Sequence, residues 1–147
     1  MSEKQLNDII SSRYEKLNNI VNGGYEPYPY KFDRTGLINE IINLNIGSKV
    51  SCAGRIMSMR KMGKAAFIHL QDLTGRIQVY LKDNLLEPNQ YDSIARNLDL
   101  GDIVGVKGEI FETKTKELSV KASSLTFLAK NIRPLPNTKE KDGEKFD

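Results

Sequence analysis

The chain has 147 residues, 39% of them hydrophobic, a formal net charge of +3, one cysteine and one histidine. That length suits one domain with a real core plus a short appendage, and the apolar share is too high for a disordered chain. A lone cysteine excludes an internal disulfide, and no apolar run reaches membrane-spanning length.

The N-terminus, MSEKQLNDII, lacks the basic-then-apolar order of a secretion signal. With the single cysteine it points to the cytoplasm. Residues 2–21 read as an amphipathic helix, because Leu6, Ile9, Ile10, Tyr14, Leu17, Ile20 and Val21 recur at helical spacing. Ser2 is positioned to cap it, with Gln5 at the capping-box position, and Asn22, Gly23 and Gly24 end it. Residues 25–34, YEPYPYKFDR, hold two prolines two apart and predict an extended linker whose rings pack on the domain. Thr35 is positioned to cap a second short helix with Leu37, Ile38, Ile41 and Ile42 inward, ended by Asn45 and Gly47.

Residues 49–60 predict the first strand, with Val50, Cys52 and Ile56 on one side, followed by a loop at Lys61, Met62 and Gly63. Cys52 reads as a small buried hydrophobe. Residues 63–82, GKAAFIHLQDLTGRIQVYLK, read as two strands joined by a tight turn at residues 72–75. Ala66, Ile68, Leu70, Ile77, Val79 and Leu81 fall on one face; Phe67, His69, Arg76, Gln78 and Tyr80 fall on the other. A one-residue slip would bury the two rings but expose five aliphatics, at roughly 1.5–3 kcal/mol for each side chain. The aliphatic face is therefore the core. The outward face of rings, amide and cations suits stacking on bases and bonding to their edges.

Residues 84–98 predict a helix with Pro88 in its first turn and Tyr91, Ile94, Ala95 and Leu98 as its apolar stripe. Strand four follows at 103–111, with Val104, Val106 and Ile110 facing one way. Gly101, Gly105 and Gly108 signal tight curvature or a bulge there. Residues 113–116 form a hairpin loop. Strand five runs over 117–127 with Leu118, Val120 and Ala122 inward. The final stretch, NTKEKDGEKFD, is charged and predicts disorder.

Three strands, a helix, then two strands is the order of the OB-fold, a five-stranded Greek-key barrel. The chain is thus mainly β, a barrel with a helix between strands 3 and 4, preceded by an N-terminal helical extension. Its domains divide as 1–48, extension and linker; 49–132, barrel; 133–147, linker and tail. Between Glu40 and Asp72 there is no carboxylate, while Lys49, Arg55, Arg60, Lys61 and Lys64 fall in that gap. Basic charge running into exposed rings is a nucleic-acid footprint. One histidine and one cysteine give no confident metal site or Cys–His pair, and no phosphate-cradling GxxxxGK[ST] is present.

A set of short stretches, in order from about residue 13 to 136, resembles the N-terminal anticodon-binding domain of class II lysyl-tRNA synthetases. They include YEPYPYKF at 25–32, AGRI at 53–56, MGKAAF at 62–67, LQD at 70–72, GRIQ at 75–78, LGDIVG at 100–105, TKT at 113–115, ELS at 117–119 and RPLP at 133–136. YPYKF and RPLP point to the lysine enzyme over its aspartate and asparagine relatives. The resemblance implies that Phe67 stacks on an anticodon base, Gln78 reads the central uridine, Arg60 contacts the same region, and Glu117 reads a flanking base. Arg55 is a further candidate for that surface. His69 lies on the same face without a role the resemblance supplies. Lys116 stands where the family often has glycine.

The resemblance further implies a lysine tRNA anticodon stem-loop as partner, no membrane partner, and a homodimer for the full-length enzyme. The catalytic domain, with its ATP and magnesium, would follow the RPLP stretch, so no cofactor and no lysine activation are expected of these 147 residues alone. Two other readings stand beside it. One is a free-standing OB module that binds single-stranded nucleic acid. The other is an interaction or dimerisation module using the apolar face of the first helix.

Overall fold

The computed structural model describes residues 2–26 and 32–133. Five strands close into a barrel: β1 (Lys49–Met62), β2 (Ala65–Gln71), β3 (Arg76–Lys82), β4 (Ile103–Glu112) and β5 (Leu118–Ala129). Their order around the barrel is β1-β2-β3-β5-β4. Only β3 and β5 pair parallel; the other pairings are antiparallel. β1 is long enough to serve two neighbours. Its first half pairs with β4 and its second with β2.

The hairpin register is the one the alternation predicts. Phe67 faces Tyr80 and His69 faces Gln78 across the strands, while Ile68 faces Val79 and Leu70 faces Ile77. Ile68, Leu70, Val79 and Leu81 are buried with Ile56, Val106, Ile110, Val120 and Phe127 in one core. Cys52 is buried there too, and burial pushes its thiol up to about 12. It is inert packing, as its side of β1 suggested.

β4 carries a register irregularity where its glycines suggest one. A Cβ on Gly105 would come within 2.6 Å of the Phe32 ring, and one on Gly108 would collide with the Lys121 carbonyl. The β4–β5 register shifts between Lys107 and Gly108. Phe32 therefore packs directly against β4 at Gly105, and Tyr25 packs against the core. The rest of the predicted linker, 27–31, and the RPLP stretch and tail beyond Arg133 lie outside the described residues.

Helix α1 (Glu3–Asn22) forms with its capping box: Gln5 N donates to Ser2 Oγ at 3.1 Å and Ser2 N to Gln5 Oε1 at 2.9 Å. It is bound to the barrel by charge as well as by Ile20. The Lys16 ammonium meets Asp99 at 2.6 Å, and Asp99 in turn meets Lys130 at 2.8 Å. Lys130 and Asp102 pair at 2.7 Å with both side chains wholly buried. Lys130 also donates to the Asn97 carbonyl at 2.7 Å, so its three protons are all used.

Two helices are shorter than their sequence predicts. The second, α2, covers only Ile38–Ile41, and Leu37 rather than Thr35 stands at its N-cap. Thr35 instead bonds the β1 backbone, accepting from Ser51 N at 2.9 Å. Ile42, expected inward, is 40% exposed. In place of a helix over 84–98 there are turns, then α3 (Gln90–Ser93) and a 3-10 turn at Ala95–Asn97. Asn89 takes a left-handed φ of 69°, which breaks the helix after Pro88. Gln90 then turns inward, accepting from Leu125 N at 2.9 Å. The predicted stripe Tyr91, Ile94, Ala95 and Leu98 is nonetheless buried.

Candidate nucleic-acid interface

The outward side chains of β1, β2, β3 and β5 stand in three rows across the barrel wall. The first joins Arg60, Phe67, Tyr80 and Lys121; the second joins Ser58, His69, Gln78 and Ser119; the third joins Arg55, Gln71 and Arg76. A groove of about 750 Å³ runs over Arg60, Phe67 and Tyr80 of the first row and Ser58, His69 and Gln78 of the second, and is closed at one side by the β4–β5 loop.

A β-bulge creates half of this surface. Val50, Cys52 and Ile56 point into the core, so simple alternation would send Ser58 and Arg60 inward as well. The register shifts between Ile56 and Ser58 instead. Met59 then faces Ile68 in the core, and Ser58 and Arg60 come out beside His69 and Phe67. Re-aiming side chains next to a functional site is a recognised use of bulges.

Three rings line the groove. Phe67 and Tyr80 stand 4.8 Å apart between centroids, and Tyr80 and Phe111 stand 6.2 Å apart. The Arg60 guanidinium lies 5.7 Å from the Phe67 ring centre and the Lys121 ammonium 5.0 Å from that of Phe111. Phe111 escaped the sequence reading, although its parity was available: Ile110 is buried, so its neighbour on β4 faces out.

The polar groups are ordered by one another. Gln78 Nε2 donates to Ser119 Oγ at 3.0 Å, which fixes the amide plane. His69 sits between two partners, with Nδ1 2.6 Å from Ser58 Oγ and Nε2 2.8 Å from Glu117 Oε2. Glu117 precedes β5 instead of lying on it. Its backbone N donates to Thr113 Oγ1 at 3.1 Å, and the residue before it, Lys116, has a φ of 68°. The glycine that the resemblance implies at 116 is what that left-handed turn favours.

Of the predicted site residues, Arg60, Phe67, His69, Gln78 and Glu117 line the groove together. Arg55 and Arg76 do not line it. Arg55 donates to the Gly101 carbonyl at 2.8 Å and Arg76 to Gln71 Oε1 at 3.0 Å, one row further along the wall. The carboxylate-free gap also scatters. Arg60 alone of its five cations lines the groove, for Lys61 turns to the Arg96 carbonyl at 3.0 Å and Lys64 meets Asp83 at 3.6 Å. Lys49 lines a separate hollow beside Asp33. The positive charge at the rings comes instead from Arg60 on β1, Lys114 in the β4–β5 loop and Lys121 on β5. Distance along the chain was no guide to it.

No helix among the described residues is long and apolar enough to cross a membrane. No three His, Cys, Asp or Glu side chains among them gather as a metal ion's ligands.

A closed five-stranded barrel with this groove on its β2–β3 side is an OB-fold oligonucleotide-binding barrel. Residues 50–128 match the tRNA anti-codon family, an OB-fold nucleic acid binding domain, and the chain belongs to that family. It is 41% identical over 147 residues to the lysine–tRNA ligase of Bacillus cytotoxicus, covering 93% of this chain and 29% of that protein. Against the lysine–tRNA ligase of Staphylococcus aureus the identity is 42% over 149 residues, covering 93% and 30%. The lysine–tRNA ligase of Bacillus anthracis is 40% identical over 147 residues, with 93% and 29% covered. The chain thus spans under a third of the length of the curated relatives it matches.

Proposed function

We propose that this chain binds the anticodon of lysine tRNA, as the anticodon-binding domain of a lysine–tRNA ligase. One observation carries the reading: the paired rings of Phe67 and Tyr80, tilted 32° to each other, stand directly beside the bonded amide of Gln78 in one groove. A ring to hold a base and an amide to test its edge are then neighbours. Gln78 Nε2 offers a second proton, and Oε1 makes no hydrogen bond to a described residue. Uracil presents a ring N–H between two carbonyls, which an amide meets with a donor and an acceptor. Arg60, over Phe67, is within the same groove to pair with a base carbonyl or the adjacent phosphate.

Joining lysine to tRNA is the act that the relatives' name describes, and for this protein it remains part of the proposal. The barrel's own residues bind and orient the anticodon, and the attachment chemistry falls to chain outside this barrel.

Phe67→Ala tests the proposal. Affinity for a lysine anticodon stem-loop should fall by roughly 1–3 kcal/mol, the usual loss for one base–aromatic stack. The melting temperature should hold, because the ring is on the wet side of β2. An early melt, in the range of a core Phe→Ala loss of roughly 3–5 kcal/mol, would mean that the ring is structural. Unchanged affinity would favour a barrel that uses another face. Equal binding to any single strand would favour a general single-strand binder.

A further inference from the structure

We infer that Ser58 and His69 are positioning residues: together they hold the Glu117 carboxylate as a pure acceptor for the ring N–H of an anticodon base. The inference rests on the anticodon reading above and extends it to a second base.

A carboxylate in a groove meant for a polyanion needs a reason. Glu117 repels phosphate, so its presence is useful only if it contacts something that a cation or an amide would not. Its surroundings define what that is. The carboxylate is held at both ends of the residue, through the backbone N–H to Thr113 Oγ1 at 3.1 Å and through Oε2 to His69 Nε2 at 2.8 Å. An ionised carboxylate only accepts. The proton in the His69–Glu117 contact must therefore sit on Nε2.

The other ring nitrogen follows. Nδ1 lies 2.6 Å from Ser58 Oγ. In the neutral ring it accepts the Ser58 O–H; in the charged ring it donates to the same oxygen. Glu117 Oε2 accepts from Nε2 in either state. Oε1 makes no hydrogen bond to a described residue, and the side chain is 44% exposed along the groove. The charged groups lining the same groove are Arg60 on β1, Glu112 at the end of β4 and Lys114 in the β4–β5 loop. None of them has a hydrogen bond or ion pair to Glu117, so His69 is the one groove side chain that bonds its carboxylate among the described residues.

An oriented acceptor without a proton selects a base edge that donates. Uracil N3–H and guanine N1–H qualify. Cytosine N3 and adenine N1 present lone pairs and are repelled. The bulge at Met57 is what brings Ser58 out to His69, so this relay exists only because β1 breaks its alternation. His69 contributes no contact to the base itself, and acts through Glu117.

The test uses stem-loops in which 3-methyluridine replaces each anticodon uridine in turn, which removes one N–H and adds a methyl. The wild-type chain should lose about tenfold to a hundredfold at two positions, the range for a hydrogen bond to a charged or fixed group. One position belongs to Gln78 and the other to Glu117. In His69→Leu the penalty at the Glu117 position should shrink to a few-fold, with the Gln78 penalty unchanged. His69→Gln, which keeps an N–H toward Glu117, should restore much of it. Ser58→Ala, a milder change, should reduce the same penalty in part and keeps the test alive if His69→Leu folds poorly. Equal loss on every stem-loop, or a full penalty retained in both His69→Leu and Ser58→Ala, overturns the inference. No binding of the unmodified stem-loop by wild type would overturn the anticodon reading itself, a different result.

Discussion

Lys116 shows how one residue shapes the groove. Its φ of 68° is costly for a side chain with a Cβ, by roughly 1–2 kcal/mol. The turn needs that conformation, since Lys116 N donates to the Thr113 carbonyl at 2.9 Å and delivers Glu117 to the groove. Its exposed contact with Glu112 at 3.7 Å offsets little of the cost. Lys116→Gly should therefore stabilise the fold by about 0.5–1 kcal/mol after the added chain entropy of glycine is subtracted. Denaturant unfolding checks this; a clear loss of stability would mean that the ion pair or the loop depends on the lysine. At this scale the sequence was legible where alternation held. Phe67, His69 and Gln78 were placed on their face by parity alone. Ser58 was not, because the bulge that turns it out leaves no mark in the pattern Val50, Cys52, Ile56.

Among the elements, the β2–β3 turn does more than reverse the chain. Asp72 Oδ1 accepts from Thr74 N at 2.7 Å and Thr74 Oγ1 at 2.6 Å, and its Oδ2 accepts from Ile38 N at 2.9 Å. One carboxylate closes the hairpin and holds the start of α2. Burial raises its pKa, but the Thr74 hydroxyl and the N–H groups of Ile38, Thr74 and Gly75 together lower it, and the net direction is down. With the folded value below the unfolded one of about 3.9, the stabilisation is fully present above that value. It is lost as pH falls through the folded value. Asp72→Asn should cost about 1.5–3 kcal/mol at neutral pH. Below about pH 4 its stability should fall less steeply than that of wild type. Parallel acid curves for the two proteins would remove Asp72 from this role. Element existence was legible wherever hydrophobic period and turn residues agreed, as in α1 and the five strands. The stretch 84–98 was not, because its apolar stripe fits a helix while Asn89 and the inward turn of Gln90 break one. Tertiary bonds there override local propensity.

For the whole molecule, the barrel and α1 form one packed body through Ile20 and the chain of charges from Lys16 to Asp102. That network was invisible in the sequence, since its members lie more than a hundred residues apart at the extremes and look like ordinary surface charge. The closed topology, by contrast, followed from element order. So did the side of the barrel that carries the groove. What that side of the barrel recognises turns most on Gln78. Stem-loops with uridine or cytidine at the central anticodon position should be titrated against wild type and Gln78→Ala. Wild type should prefer uridine by about 1–3 kcal/mol, the range for a good two-point base contact. Gln78→Ala should narrow that gap more than it lowers overall affinity. Equal losses for the two RNAs, or no preference in wild type, would contradict the claim that this barrel face reads the anticodon.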